Sequence, residues 1–184
     1  MQVSDKLPGY ASGTWTLDPA HTDIGFSVRH LMVSKVRGSF TEFSGTITTA
    51  EDPLTSSAGL TVALASIDTR SAERDQHLRS SDFFDAGNQP TMTYTTTSLR
   101  QDGDDLVAEG DLTIKGVTRP VVLNVEFNGI GTDPWGGTRL GLSARGEINR
   151  SDFGISFNMP LDGGGVMVGE RIQLIIEVEA VLNP

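Results

Sequence analysis

Two neighbouring stretches, WTLDPAHTDIGFSVRHL (residues 15–31) and VRGSFTEFSG (residues 36–45), set the reading of the whole chain. In the first, Ile24, Phe26, Val28 and His30 share one parity, and Asp23, Gly25, Ser27 and Arg29 the other. Successive side chains of a strand point to opposite faces, so this is a strand with one apolar and one polar side. The second stretch breaks step. Val36, Gly38 and Phe40 are even, whereas Phe43, Gly45 and Ile47 are odd. A slip of one residue exchanges the two faces, which predicts a bulge near Thr41 and Glu42.

The same alternation recurs outward from here. Leu60, Val62 and Leu64 carry it, then Met92 and Tyr94, then Leu106, Ala108, Leu112 and Ile114. Val121, Leu123, Val125 and Phe127 follow, then Leu140, Leu142, Ala144 and Ile148, and finally Ile172, Leu174, Ile176, Val178 and Ala180. The turns between them are legible. Asp102-Gly103 is a hairpin signal, Asp133 to Gly137 a longer loop, and Pro120 is expected at the first residue of a strand. About eight strands with single apolar faces imply an all-β, antiparallel sheet, and eight is the smallest closed barrel with room for one ligand. Closure would also remove exposed edges.

One segment departs from this pattern. Between Thr69 and Ser81, Ser71 can cap a helix and Glu73 favours its first turn, yet Leu78 is the one strongly apolar residue there. Such a helix cannot be a core element, so it is expected to lie short across one end of the barrel. Phe83 and Phe84 follow it, at least one of them pointing inward. Residues 1–13 read as an irregular arm and residues 14–184 as the barrel domain.

Composition narrows the function. The 184 residues carry a net charge of −10 and no cysteine. The charge opposes nucleic-acid phosphates and, taken in bulk, anionic headgroups. The missing cysteines exclude disulfides, thiolate metal sites and cysteine nucleophiles. With no apolar run of signal-peptide or bilayer-spanning length, the expectation is a soluble, cytoplasmic protein without a membrane span.

The motifs LDPAH (17–21), VRHL (28–31), VRGSF (36–40), RDQHLRS (74–80) and DFFDA (82–86) lie in order along the chain. GDLTIKGVT (110–118) and NRSDFG (149–154) come later. In this order the sequence resembles the YceI-like family over nearly its whole length. The resemblance implies an eight-stranded antiparallel, lipocalin-like barrel. It also implies an apolar cavity for a long polyisoprenoid or fatty-acyl chain, whose polar end lies near the opening. Many members carry a secretory signal, which is not visible here. Thr22 stands where serine is common.

Periodicity fits both a hollow barrel and one filled by its own side chains. Ala108, Gly110, Ala144 and Gly146 allow space without requiring it. The residues expected to line a cavity are Phe26, Val28, Phe40, Leu64, Tyr94, Leu112, Leu142 and Ile176. At the entrance, His21, Arg74, Asp75 and His77 are expected to form a hydrogen-bonded network, and Arg74 or His77 can meet a headgroup.

Three histidines without an HExxH pattern or paired carboxylates do not make a metal motif, and no metal or cofactor is expected. No GxSxG elbow is present, and Gly163-Gly-Gly165 lacks the ending of a phosphate loop. The expected function is binding, sequestering or transporting a hydrophobic chain without catalysis, as monomer or homodimer. The alternatives are an enzyme acting on an isoprenoid or lipid precursor through His21, Asp75 and His77, and a solid barrel that recruits a protein.

Overall fold

The alternating runs form eleven strand segments that act as eight staves of one wall. The computed structural model describes residues 6–184. In chain order the segments are β1 (Gly13–Leu17), β2 (Asp23–His30), β3 (Ser34–Phe40), β4 (Phe43–Thr49), β5 (Ser57–Ala63) and β6 (Ile67–Asp68). The helix α1 (Ala72–Arg79) precedes β7 (Thr91–Asp102), β8 (Asp105–Ile114), β9 (Val117–Thr132), β10 (Thr138–Asn149) and β11 (Val168–Leu182).

Every pairing is antiparallel, and the ring closes where Trp15 of β1 faces Leu182 of β11. The first three staves are each interrupted once. β1 and β2 part at residues 18–22, β3 and β4 at Thr41–Glu42, and β5 and β6 at the 3-10 turn Leu64–Ser66. In one half of the barrel β11 pairs with β1, and in the other half with β2, β3 and β6 extending the wall from there. The parity break read near Thr41 is the second interruption. Phe40 is 5% exposed and Ile47 8%, so both sides of the break return their apolar face to the core.

Two expectations about turns need adjustment. Pro120 is the fourth residue of β9, paired opposite Asp111, and not the strand's first. β10 reaches β9 only as far as the Gly146–Leu123 pair, so Pro120 has a neighbour on one side and its missing donor is not needed. The 102–105 hairpin turns on Gly103 and Asp104, with Gly103 at φ +63.

Helix α1 is capped by Ser71, whose hydroxyl accepts from the Arg74 N–H at 3.3 Å. Asp75, 7% exposed, accepts from the Thr69 N–H at 2.9 Å and its hydroxyl at 2.6 Å, which pins the helix to the chain leaving β6. Phe83 is buried behind it. Besides a cluster of Ile24, Phe40, Val62, Leu64, Ile67 and Ala86 in the wall, two packed cores sit towards the ends of the barrel. One holds Trp15, Leu17, Ile47, Leu140 and Ala180; the other gathers Phe83, Phe153 and Ile155 with the walls of β8 and β9. Burying residues of this kind stabilises by about 1.5–3 kcal/mol each.

Candidate functional site: an apolar lumen with one polar mouth

Between the two cores the barrel is hollow. Two chambers of about 170 Å³ each lie end to end and share the side chains of Ile24, Leu60, Tyr94, Leu123 and Ile176 as a waist. Each is close to the ~150 Å³ apolar cavity that accommodates benzene in an engineered protein core. The chamber nearer the amino-terminal arm is lined by Leu140, Leu142, Val178 and Phe127, and is capped by Leu7, Tyr10 and Pro53. The other is lined by Phe26, Val28, Phe40 and Leu112, and is capped by Phe83, Phe84 and Phe153.

The inward phase puts Phe26, Val28, Phe40, Tyr94, Leu112, Leu142 and Ile176 on the lumen. Leu64 does not reach it. β5 ends at Ala63, and Leu64 opens the 3-10 turn, fully buried against Ile24, Phe40, Val62, Ile67 and Ala86. The residue that would have continued the alternation is turned into the wall by the break in its stave.

Tyr94 is the polar feature of the waist. Its hydroxyl is buried with no hydrogen-bond partner among the described residues. Thr96, next on the same face, has its hydroxyl engaged with the Ala58 backbone, accepting from N–H at 3.1 Å and donating to C=O at 3.2 Å. Burial raises the Tyr94 pKa above its ordinary value, so the phenol stays neutral. The ring lies against Gly110, where a Cβ would come within 2.3 Å of Cζ. Only glycine fits beneath it.

The mouth is a third space of about 400 Å³ beside α1, sharing Phe26, Val28, Leu78, Phe83 and Val168 with the adjoining chamber. Arg74, His77, Arg29 and His30 stand on its rim, with Glu73. Arg74 donates to the Thr69 hydroxyl and carbonyl at 2.7 and 2.6 Å. His77 bonds Asp82 at 2.8 Å and stands edge-on to Phe83 and Phe157, with ring centroids 5.1 and 5.0 Å away.

Of the four entrance residues expected to form one network, Arg74 and Asp75 are joined through the Thr69 hydroxyl, while His77 and His21 stand outside it. Arg74 and His77 reach the mouth, Asp75 is buried beneath Thr69, and His21 is elsewhere. His21 lies in the gap between β1 and β2, bonded through Nδ1 to Asp18 at 2.8 Å.

Asp18, His21 and Glu179 offer ligand atoms within 4.8 Å of one another. Arg139 fills that space, donating to Asp18 at 2.7 Å and Glu179 at 2.8 Å, and it also binds Asp133 at 2.8 Å. The hydrogen bonds from His21 and Arg139 hold the Asp18 carboxyl down at about 2, and Arg139 lowers that of Asp133. This is an ion-pair strap on the outside of the barrel.

Sequence reasoning missed three contributors. Leu7 and Tyr10 of the arm cap the first chamber, and Tyr10 donates to the Ala50 carbonyl at 2.7 Å. Arg150, a charged residue within the NRSDFG motif, is only 4% exposed. It donates to the carbonyls of Ile155, Phe157 and Gly169 at 3.0, 2.9 and 2.9 Å. Burial lowers its pKa, and the bonds tie the segment after β10 over the mouth end. The apolar residues at 153, 155 and 157 were the available signal for that segment.

A closed antiparallel barrel around an apolar, end-to-end lumen defines the class as a barrel with an internal cavity. The family model for the YceI-like domain matches residues 15–180, and the chain belongs to the YceI-like family. It is 43% identical to Protein YceI of Escherichia coli O17:K52:H18 over 162 residues, 88% of this chain and 82% of that protein. The crystal structure of the Campylobacter jejuni YCEI protein superposes with a TM-score of 0.71 at 33% identity, covering 97% of this chain and all of that one. A polyisoprenoid binding domain from Saccharophagus degradans shares the fold, with a TM-score of 0.66 at 16% identity over 94% of this chain and 100% of that one. Among the described residues no helix is long and apolar enough to cross a membrane.

Proposed function

We propose that the barrel sequesters and carries one hydrophobic chain, threaded lengthwise through both chambers, with a polyisoprenoid favoured over a fatty-acyl chain. The observation that carries this reading is the alignment of two apolar chambers that share a waist of five side chains. A branched, jointed chain suits two ring-sized rooms better than one wide pocket. The fold shared with a polyisoprenoid-binding domain supports the same class of ligand. Each buried methylene contributes about 0.8 kcal/mol, so one five-carbon unit per chamber gains roughly 3–4 kcal/mol before ordering costs. The polar end of the ligand lies at the mouth, against Arg74 and His77.

The test is solvent extraction of the purified protein followed by mass spectrometry, with uptake of radiolabelled prenyl and acyl lipids by the stripped protein. A co-purified isoprenoid supports the proposal, an acyl chain corrects the ligand class, and a clean extract without uptake overturns it. The enzymatic alternative requires His21, Asp75 and His77 to converge, and they bond to Asp18, Thr69 and Asp82 respectively. Replacing His21 or Asp75, neither of which faces the ligand, should leave lipid retention in place at some cost in stability.

A further inference from the structure

Seven large apolar side chains are exposed among the described residues, and five of them lie together beside the mouth. Leu31, Met32 and Val33 form the tip of the β2–β3 hairpin, 41%, 56% and 80% exposed; Met159 and Val166 follow at 53% and 38%. The two segments touch. The Leu31 N–H donates to the Met167 carbonyl at 2.9 Å, and Met32 lies over Gly165 so closely that a Cβ there would meet its Cγ at 3.2 Å.

The hairpin tip is built at a cost. Leu31 and Met32 hold φ of +52 and +66, closed by the Val33 N–H on the His30 carbonyl at 3.2 Å. Glycine and asparagine are the residues that take this conformation without strain. The other turns with two consecutive positive-φ residues, Lys115-Gly116 and Gly164-Gly165, both use glycine. Exposure and backbone strain are thus both accepted to place leucine and methionine in solvent.

The charge around the tip runs against the rest of the chain. Arg29, Lys35 and Arg37 lie on the same hairpin, and the segments 29–37 and 158–168 hold one acid, Asp162, on a chain of net charge −10. None of the three cations has an ion-pair partner among the described residues. An apolar point inside a cationic collar matches one surface well: a bilayer carrying anionic headgroups. A second copy of the same face would meet it with like charge. The point also adjoins the entrance, because Arg29, His30, Met167 and Val168 line the mouth and run directly into Leu31 and Val166.

We infer that this tip is a membrane-docking surface, inserting Leu31, Met32 and Val33 between lipid headgroups and presenting the mouth to the bilayer for exchange of the carried chain. The purpose rests on the carrier reading; the docking does not. The local +2 collar also refines the bulk-charge expectation, since contact is decided within about a Debye length of the surface.

The experiment is flotation of the intact protein with vesicles of phosphatidylcholine and phosphatidylglycerol, and with phosphatidylcholine alone. The expected result is partition onto the mixed vesicles that weakens with salt. Lys35→Gln should weaken it about fivefold. Leu31→Asn with Met32→Gly supplies the residues the turn prefers, so it should raise the melting temperature while weakening partition by at least about tenfold. No flotation, equal flotation on both vesicle types, or flotation unchanged in the double variant overturns the inference. So does a dimer in solution that the double variant abolishes, since a second copy then covers the tip. A clean solvent extract from a protein that still floats would sink the carrier reading alone.

Discussion

At the arm end of the barrel, Tyr10 reaches Ala50 and Ser56 through its hydroxyl, Trp15 donates to Thr49 at 2.8 Å, and Arg139 straps three carboxylates together outside. At the mouth end a buried arginine holds a folded-over segment by its carbonyls, Asp75 and Arg74 hold the helix through Thr69, and the rings of His77, Phe83 and Phe157 pack edge-on between them. The arm end is stitched at points spread over separate strands, while at the mouth end the folded-over segment hangs chiefly on Arg150 and Asn158 and the helix on Thr69. Closure built that second way can be loosened locally without opening the wall, which is what exchange of a ligand requires.

The sharpest way to break the contrast is Arg150→Ala. It strips the partners from three carbonyls beneath the mouth, and urea denaturation should show a loss of at least about 3 kcal/mol. Next in size, Gly110→Val drives a side chain into Tyr94 at the waist. It should cost about 1–3 kcal/mol and, by solvent extraction, leave less lipid bound, because the two chambers are separated. Smaller again, Tyr10→Phe should cost about 1 kcal/mol, with hydrogen exchange accelerating around Ala50 and Ser56 and unchanged near the mouth.

The smallest effect belongs to acid. The Asp18 carboxyl is lowered from 3.8 to about 2 by His21 and Arg139, so its stabilisation is present above 3.8 and fades as pH falls toward 2. Melting temperature should drop across that window, and Arg139→Gln should flatten the drop.

The inward parity of β7 to β11 was legible because those strands run uninterrupted through both halves of the barrel. Alternation there reports the lumen directly, and Tyr94, Leu112, Leu142 and Ile176 follow from it. The three broken staves were harder. The slip at Thr41 shows in sequence because both sides are apolar. The 3-10 turn at Leu64 does not, since its residues continue the same alternation that the backbone has abandoned.

The entrance was half readable. Arg74 and His77 sit on a recognisable helix, but the partners chosen by Asp75 and His21 depend on contacts that no local spacing records. Arg150 illustrates the same point: a charged residue beside Asp152 reads as an ion pair, whereas the fold surrounds it with carbonyls.

Because β11 is the seam for both halves of the first stave, the circle cannot be completed until β11 has been made. Residues 167 apart, such as Thr16 and Asn183, must find each other, and contacts so distant in sequence slow folding. A nascent chain therefore carries two unpaired edges until β11 emerges, and the interval before ring closure is the period most exposed to aggregation.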